Sequence, residues 1–507
     1  MLAVELVRRG AQRFADRTAV VVGDREFSYA AVDERASRLT NALLSAGIGR
    51  DTRVGLLVDN GEWSVPLDFA CLKAGVTRVP LNPRLAVAEQ SRMLAEAGVT
   101  LLVYSAPLAE RAVALAEALD GLRLAGLGDR QRAQDLDLVT ELDRVPAADP
   151  RIVVAPEDVV LALYTSGTTG TLKAAQHTQA SFAAITANIL ANFLSPGRDS
   201  AMLHAASLIH ASGTFVLPYW IRGGQAVVLP GFDPGSYADA IARHRITEIN
   251  LVPTMLGMLL AGGTLDTADL STLDTIAYGA SPMPRPLLSE ALERLGPRFV
   301  QYYGQTEAPL CATVLGKADH VGDLLGSCGH PAVDAEVVLT DPDGNPVPAG
   351  EIGEIRVRAP FTMSGYLDAP ELTAQTLVDG WIRTRDLARA DERGYLYLVD
   401  RASDMIVTGG YNVYPREVED ALAAHPAVAE SAVVGAPDAT WVEAVTAFVA
   451  LRPGATVSEE DLRTHVRGLL AGYKVPKSVR VVDAIPKSAV GKILRRALRE
   501  PLWEEHR

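Results

Sequence analysis

The feature that most constrains this chain is the regular alternation of short apolar runs with amphipathic stretches over its first half. Residues 31–46 (AVDERASRLTNALLSA) space their apolar side chains for one helical face, and Gly47 follows as a stop. Residues 52–59 (TRVGLLVD) are a buried-strand pattern, 64–74 return to helical spacing, and 76–82 make a second strand ending near Pro83. Residues 87–97 read as a helix and 100–105 (TLLVYS) as a third strand, and the texture recurs at 223–229, 237–244 and 246–252. Strands that alternate with helices predict parallel sheets covered by helices, an α/β fold.

From about residue 334 the texture changes. AEVVLTD, the turn PDGNP (342–346) and GEIRVRA (353–359) predict a β-hairpin. GYLYLVDR (394–401) is a strand ending in a charged pair. The chain then restarts as a small α+β unit, with a strand at 405–409, a helix at 415–424, strands near 427–434 and 444–451, and a helix at 458–471. The boundary falls near 400–403, between a large N-terminal domain, 1–400, and a small C-terminal domain, 401–507.

Composition narrows the function classes. The 507 residues carry 48 Lys+Arg against 62 Asp+Glu, a net charge of −14, with 48% hydrophobic and 22% charged residues. That is a globular chain with a large core, and its acidic balance argues against a nucleic-acid partner. Three widely spaced cysteines, Cys71, Cys311 and Cys328, form no disulfide framework and no CxxC metal pattern, which points to a reducing cytoplasm. Two stretches without Asp, Glu, Lys or Arg, 174–197 and 200–221, hold His, Ser, Thr, Gln, Asn or Gly throughout. They read as interior segments of an α/β core and not as membrane spans.

The most informative chemistry lies in LALYTSGTTGTLK (161–173). An apolar strand runs into Thr165, Ser166, Gly167, Thr168, Thr169 and Gly170, and then reaches Lys173. Small residues let the backbone approach an anion, hydroxyls donate hydrogen bonds and the lysine adds a cation. No Gly-Lys-Ser/Thr closes the loop, so it is not a Walker A loop. On composition alone the segment also fits a polar turn between core elements.

With that loop, the chain resembles the adenylate-forming superfamily: acyl- and aryl-CoA synthetases, peptide-synthetase adenylation domains and luciferases. Five further segments match the family's motifs in order: YGASPMP (278–284), YYGQTEA (302–308), GWIRTRD (380–386), DRASDMIVTGGYNVYPREVE (400–419) and PKSAVGK (486–492). The resemblance covers most of the chain. It implies the adenylate-forming fold, a large domain of layered sheets and helices plus a small mobile domain carrying a catalytic lysine. It also implies ATP with Mg²⁺, a small-molecule carboxylic acid (aryl or medium-chain), and CoA as the thiol acceptor, or alternatively a carrier-protein pantetheine.

The same resemblance assigns roles. Tyr303 stacks on adenine while Gly279 and Ala280 pack opposite, with Ser281 beside them, and Gln301, Tyr302 and Gly304 complete the nucleotide segment. Thr306 contacts the α-phosphate and Glu307 helps hold Mg²⁺; read locally, Gly-Gln-Thr-Glu also fits a helix-start cap. Asp386 accepts from the ribose hydroxyls and Arg401 donates to the same nucleotide; read locally, the two also fit a surface ion pair. Lys492 bridges the carboxylate and the α-phosphate, where an isolated lysine would otherwise read as solvated. Gly409 and Gly410 line the thiol tunnel and Ser403 is the hinge. The acid pocket draws on His210, Ala211, Gly213 and Tyr278; His210 fits a pocket contact and a satisfied core histidine equally well.

Several positions depart from the usual family text. The loop continues as Leu172-Lys173-Ala174 in place of Pro-Lys-Gly, and Thr178-Gln179 replaces Thr-His. Arg385 stands where glycine is usual before Asp386, Ser403 replaces an Asp or Lys, and Val442-Glu443 replaces Gly-Glu. The departures leave the nucleotide groups intact and bear on the thiol half-reaction. They also keep open a different oxyanion, nitrite, adenylated for diazotisation of an aryl amine. If the hinge must turn at Ser403, Ser403→Pro fixes φ near −65° and brakes the second half-reaction alone. Pre-steady-state assays should show first-turnover pyrophosphate release retained and thioester formation reduced by at least ~10-fold. Equal loss of both would mean the proline disrupts the joint itself.

Overall fold

A computed structural model describes residues 1–128, 135–166, 172–209, 211–281, 283–401, 404–408, 411–438, 440–487 and 492–504. Four sheets organise them. The first runs, edge to edge, through His330–Pro331, Ala308–Leu315, Phe299–Gln305, Thr275–Tyr278, Glu248–Leu251, Ala201–His204, Gln225–Val228, Thr18–Val22 and Arg25–Ser28. Its strands from Phe299–Gln305 to Thr18–Val22 are all parallel. The second sheet carries the other parallel set, Val159–Ser166, Thr77–Pro80, Arg53–Leu57, Leu101–Ser105, Arg123–Leu127 and Leu136–Asp137. Every residue of Thr77–Pro80 and of Leu101–Ser105 is buried, as expected of strands covered on both faces.

Local chemistry sets the helix ends. Ser28 accepts the Ala31 N–H at 3.1 Å and starts the helix Tyr29–Ser45. Gly75, at φ 71°, ends the helix Ser64–Ala74. The helix expected at 237–244 begins earlier, at Pro234, because Asp233 caps it through the Ser236 N–H at 2.9 Å and proline suits the first turn. The two uncharged stretches are interior elements: the helix Gln179–Asn192, the strand Ala201–His204 and the short helix Val216–Trp220, which is buried throughout. Among the described residues, no helix is long and apolar enough to cross a membrane.

The two large sheets pack with helices between and around them. One core joins Phe14, Tyr29, Phe69, Phe182, Phe215, Trp220 and Tyr302 on one face of the first sheet. A second core, with Tyr237, Leu259, Tyr278, Leu288 and Phe299, lies on its other face. The expected hairpin pairs Glu336–Thr340 with Ile352–Arg358, and Trp381–Ala390 extends it into a third sheet. That strand alternates buried and part-exposed residues, and Leu396–Arg401 pairs with it so that Asp386 faces Arg401. The fourth sheet, Tyr411–Val413, Ile406–Thr408, Val442–Leu451 and Val428–Asp438, forms the small unit around its own cores.

The alternative local reading of one segment, a helix start, is excluded. Gly304, Gln305, Thr306 and Glu307 start no helix. The strand Phe299–Gln305 turns at Thr306 and Glu307 and returns antiparallel as Ala308–Leu315, with Gln305 opposite Ala308. Two glycines make this end of the sheet compact. A Cβ on Gly304 would lie 2.5 Å from the Leu310 carbonyl oxygen, and one on Gly279 would lie 2.5 Å from the Tyr302 carbonyl and 2.7 Å from its ring. Gly279→Ala is therefore expected to destabilise the fold by ~1–3 kcal/mol, the scale of overpacking, and to weaken nucleotide binding. Chemical denaturation and ATP titration check it; wild-type values in both would show that the Tyr302 ring yields freely.

Candidate active site

The hairpin tip and the third sheet meet at Asp386. This carboxylate is only 7% exposed. It accepts the Tyr303 hydroxyl at 2.6 Å and the Gln305 amide at 3.3 Å, and it pairs with Arg401 at 3.1 Å. Its own N–H donates to the Thr384 hydroxyl at 3.1 Å, while that hydroxyl donates to the Ile355 carbonyl at 2.7 Å. Burial pushes the Asp386 carboxyl above its usual range, against the opposing pull of Arg401, the Tyr303 hydroxyl and Lys492. Arg385, directly before it, is held at φ 61°, a left-handed conformation that glycine adopts freely.

Glu307 centres a second network at the same tip. It is 5% exposed, accepts the Tyr366 hydroxyl in a short hydrogen bond, and lies 3.5 Å from the Lys173 ammonium. Lys173 also donates to the Tyr366 hydroxyl at 2.9 Å. On the neighbouring strand, His177 holds the Thr306 carbonyl at 2.8 Å. A carbonyl only accepts, so His177 Nε2 carries the proton. Burial pulls this imidazole down to about 4.

Lys492 of the small unit is an exposed residue whose ammonium interacts with the charges of both networks. Desolvation and then Arg401 pull it below the ordinary lysine value, while Asp386 and Glu307 oppose them. Arg495, three residues on, anchors this segment to Glu419 at 2.6 Å and Asp404 at 3.3 Å. Asp400 ties the two units together. It accepts the Arg401 N–H at 2.7 Å and, from the first turn of the helix Pro415–Ala423, the Arg416 N–H at 2.9 Å. Burial pushes the Asp400 carboxyl up to about 6.

The structure thus brings together Lys173, Tyr303, Thr306, Glu307, Asp386, Arg401 and Lys492. Gly279, Ala280 and Ser281 follow the strand Thr275–Tyr278, beside the strand that carries Gln301, Tyr302, Tyr303 and Gly304. Thr165 and Ser166 end the strand Val159–Ser166, whose partner strand carries Lys173 opposite Thr165. Gly167, Thr168, Thr169, Gly170, His210, Ser403, Gly409 and Gly410 lie outside the described residues. Ala211 and Gly213 belong to the short turn Ala211–Phe215. Tyr278 does not join Tyr302. It packs on the other face of the sheet, where its hydroxyl meets His320 at 3.1 Å and Gln301 at 3.3 Å. Sequence reasoning missed Tyr366, Gln305 and His177, since their partners Glu307, Asp386 and Thr306 lie across strand pairings that no local pattern announces.

Among the described residues there is no group of three or more His, Cys, Asp or Glu that could hold a metal ion. A single buried carboxylate, Glu307, suits a hard cation whose other ligands are phosphate oxygens and water.

A family profile of AMP-binding enzymes matches residues 7–367, and the profile of the AMP-binding enzyme C-terminal domain matches residues 417–492. The chain belongs to the AMP-binding enzyme family and has the adenylate-forming fold. It is 39% identical over 510 residues to the medium/long-chain-fatty-acid–CoA ligase FadD8 of Mycobacterium tuberculosis, covering 97% of this chain and 89% of that one. It is equally 39% identical over 493 residues to a feruloyl-CoA synthase from an Amycolatopsis species, covering 97% of each. Among solved structures, the amide bond synthetase McbA from Marinactinospora thermotolerans superposes with a TM-score of 0.90 at 33% identity, over 98% of this chain and 99% of that one. The protein is an AMP-forming ligase: it activates an acid as an acyl-AMP with release of pyrophosphate and passes the acyl group to a thiol.

The neutral histidine beneath the hairpin tip makes stability depend on pH. His177 titrates near 4 in the fold and near 6.5 when unfolded. Below 6.5 the unfolded chain takes up a proton that the folded site refuses. The stabilisation is therefore complete above 6.5 and lost as pH falls toward 4. His177→Gln keeps a donor for Thr306 and should flatten the fall in unfolding free energy between pH 6.5 and 4.5 by about 1 kcal/mol per pH unit. Denaturant melts at stepped pH measure it; an unchanged slope would assign the protons to other groups.

Proposed function

We propose that this ligase activates an aryl or medium-chain carboxylic acid with MgATP and transfers the acyl group to CoA. The observation that carries the reading is the convergence of Lys492 from the small unit with Glu307 and Asp386 from the large one, with Arg401 at the boundary between them. A nucleotide-binding protein without chemistry has no use for a lysine brought from a separate unit to this point.

The residues divide the work. Tyr303, with Gly279 and Ala280, receives the adenine, and Asp386 with Arg401 receives the ribose. Asp386 is already oriented by Tyr303, Gln305 and Thr384, so ribose binding needs little reorganisation. Lys173, Thr306 and the loop 165–170 take the phosphates. Glu307 would hold Mg²⁺ together with phosphate oxygens; the ion supplies charge neutralisation on the polyphosphate. The acid's carboxylate oxygen attacks the α-phosphorus, the bond to the pyrophosphate oxygen breaks, and Lys492 neutralises charge on the carboxylate and the α-phosphate. In the second step the CoA sulfur attacks the acyl carbonyl, its proton passes to solvent, and AMP leaves with the electron pair. A small unit, 401–507, that rotates between the steps withdraws Lys492 and brings the segment 409–412 to the thiol. The Asp400–Arg416 bond is the contact that such a rotation must remake.

Pyrophosphate release with a panel of acids, with and without CoA, tests the reading. Lys492→Ala is expected to lower adenylation by ~10²–10³-fold, the effect of removing one preorganised donor, while ATP still binds. Glu307→Gln should raise the Mg²⁺ concentration needed for half-maximal rate. Adenylation within several-fold of wild type in Lys492→Ala, or an amide formed in place of a thioester when CoA and an amine compete, would overturn the assignment.

A further inference from the structure

On the inner face of the first sheet, away from the reacting phosphates, stands a polar group in an otherwise apolar core. Along Ala201–His204, Ala201 and Leu203 face the core of Tyr278 and Phe299, whereas Met202 faces the core of Phe215 and Tyr302. Strand alternation puts His204 on the side of Met202. Asn250 is flanked by Ile249 and Leu251, which also face the Tyr278 core, so it too points inward. The register pairs Met202 with Glu248 and Leu203 with Ile249, and continued by one residue it sets His204 opposite Asn250. Asn250 pairs in turn with Ala277, whose methyl leaves room above it, and the Tyr302 hydroxyl reaches across to donate to Asn250 Oδ1 at 3.0 Å.

Among the described residues, two polar groups of this row have no partner. His204 is 1% exposed; its Nδ1 meets the Ser212 hydroxyl at 2.9 Å, and its Nε2 is buried with no partner among the described residues. Ser212 is brought there by the tight turn at Gly213, where any side chain would collide with the Leu208 carbonyl. Asn250 has spent its oxygen on Tyr302 and keeps its NH₂. Buried polar atoms without partners are rare, and each one asks what completes it. The row is reachable: Asn250 is part-exposed although it lies in a central strand, and Phe193, which packs on Tyr302, is part-exposed as well. Phe193 stacks on Tyr302 at 5.6 Å, and Phe215 meets Tyr302 edge-on at 6.1 Å, so flat rings surround the Tyr302 end of the row.

We propose that His204, Asn250 and Tyr302 form the floor of the acid pocket and select an aromatic carboxylic acid bearing a ring hydroxyl. The proposal rests on the ligase reading above and names its substrate class. The hydroxyl oxygen accepts from the Asn250 NH₂ and the hydroxyl donates to His204 Nε2, in the tautomer whose Nδ1–H donates to the Ser212 hydroxyl. Burial keeps His204 neutral, with its pKa at about 4, so the floor suits an uncharged group. Aromatic walls receive the ring. An alkyl acid leaves both polar groups unpaired, and a site built to hydrogen-bond a hydroxyl rejects the analogue that lacks it.

The test uses the full chain with MgATP, following pyrophosphate release for benzoate, phenylpropenoate, their 3- and 4-hydroxy derivatives, and octanoate. At least one hydroxylated acid is expected to exceed its unsubstituted parent in kcat/KM by ~30-fold or more. His204→Phe and Asn250→Leu should each reduce that ratio to within about 3-fold, and His204→Gln should recover part of it. Thermal unfolding checks each variant; if His204→Phe does not fold, Asn250→Leu at its part-exposed position carries the comparison. Equal turnover of parents or octanoate, or a ratio that survives both substitutions, overturns the proposal. Pyrophosphate release with none of the acids overturns the ligase reading itself and this inference with it, a different result from turnover without discrimination.

Discussion

The buried carboxylate of Asp386 is the interaction on which the site depends. It lies in the third sheet, takes hydrogen bonds from the hairpin end of the first sheet through Tyr303 and Gln305, and pairs with Arg401 where the chain leaves the large unit. Its charge also acts on Lys492 from the small unit. A carboxylate is expensive to bury unless several donors compensate it, so these elements hold one another in position through that need. Moving any one of them leaves a desolvated charge short of a partner. The donors are aimed before any ligand arrives, which is the condition for electrostatic stabilisation at little reorganisation.

Around that centre the site keeps its cations close and its histidines neutral. Lys173, Arg401 and Lys492 converge on Glu307 and Asp386, an arrangement suited to a polyphosphate that brings several negative charges of its own. His177 and His204 lie in the apolar layers beneath, where burial pulls both to about 4. They act as fixed hydrogen-bonding groups: His177 holds the Thr306 carbonyl, and His204 leans on Ser212. The glycines work by absence of volume. Gly279 and Gly304 let two strand ends approach within van der Waals reach, and Gly213 does the same for the turn that carries Ser212.

Two positions show local geometry strained in favour of the site. Ala280 and Arg385 hold φ of 67° and 61°, the left-handed region disfavoured for any residue with a Cβ. One follows the strand Thr275–Tyr278 and the other precedes Asp386. Both conformations are over-determined by neighbours: Gly279 is packed under Tyr302, and the Arg385 N–H donates to Glu354 at 3.1 Å.

Much of the fold was legible because it rests on periodicity. The apolar runs at 52–59, 76–82 and 100–105 and the helices between them are written in side-chain spacing, and the structure has them within a few residues. The ordered motifs identified the family for a similar reason: the loop at 165–173, the two tyrosine segments, Asp386, Arg401 and Lys492 are contiguous strings whose chemistry is local. The turn at Thr306 and Glu307 was not legible, because Gly-Gln-Thr-Glu serves a helix start as well as a hairpin tip, and only pairing of Gln305 with Ala308 decides between them. Nor could spacing show that Tyr278 faces away from Tyr302, that Tyr366 grips Glu307, or that the register sets His204 opposite Asn250. By itself the sequence determined which elements form and which groups are available for nucleotide chemistry, since propensity, capping and composition act over a few residues. Tertiary structure alone decided which faces meet and which polar atoms remain unpaired, because strand order, register and burial arise from contacts between residues tens to hundreds of positions apart.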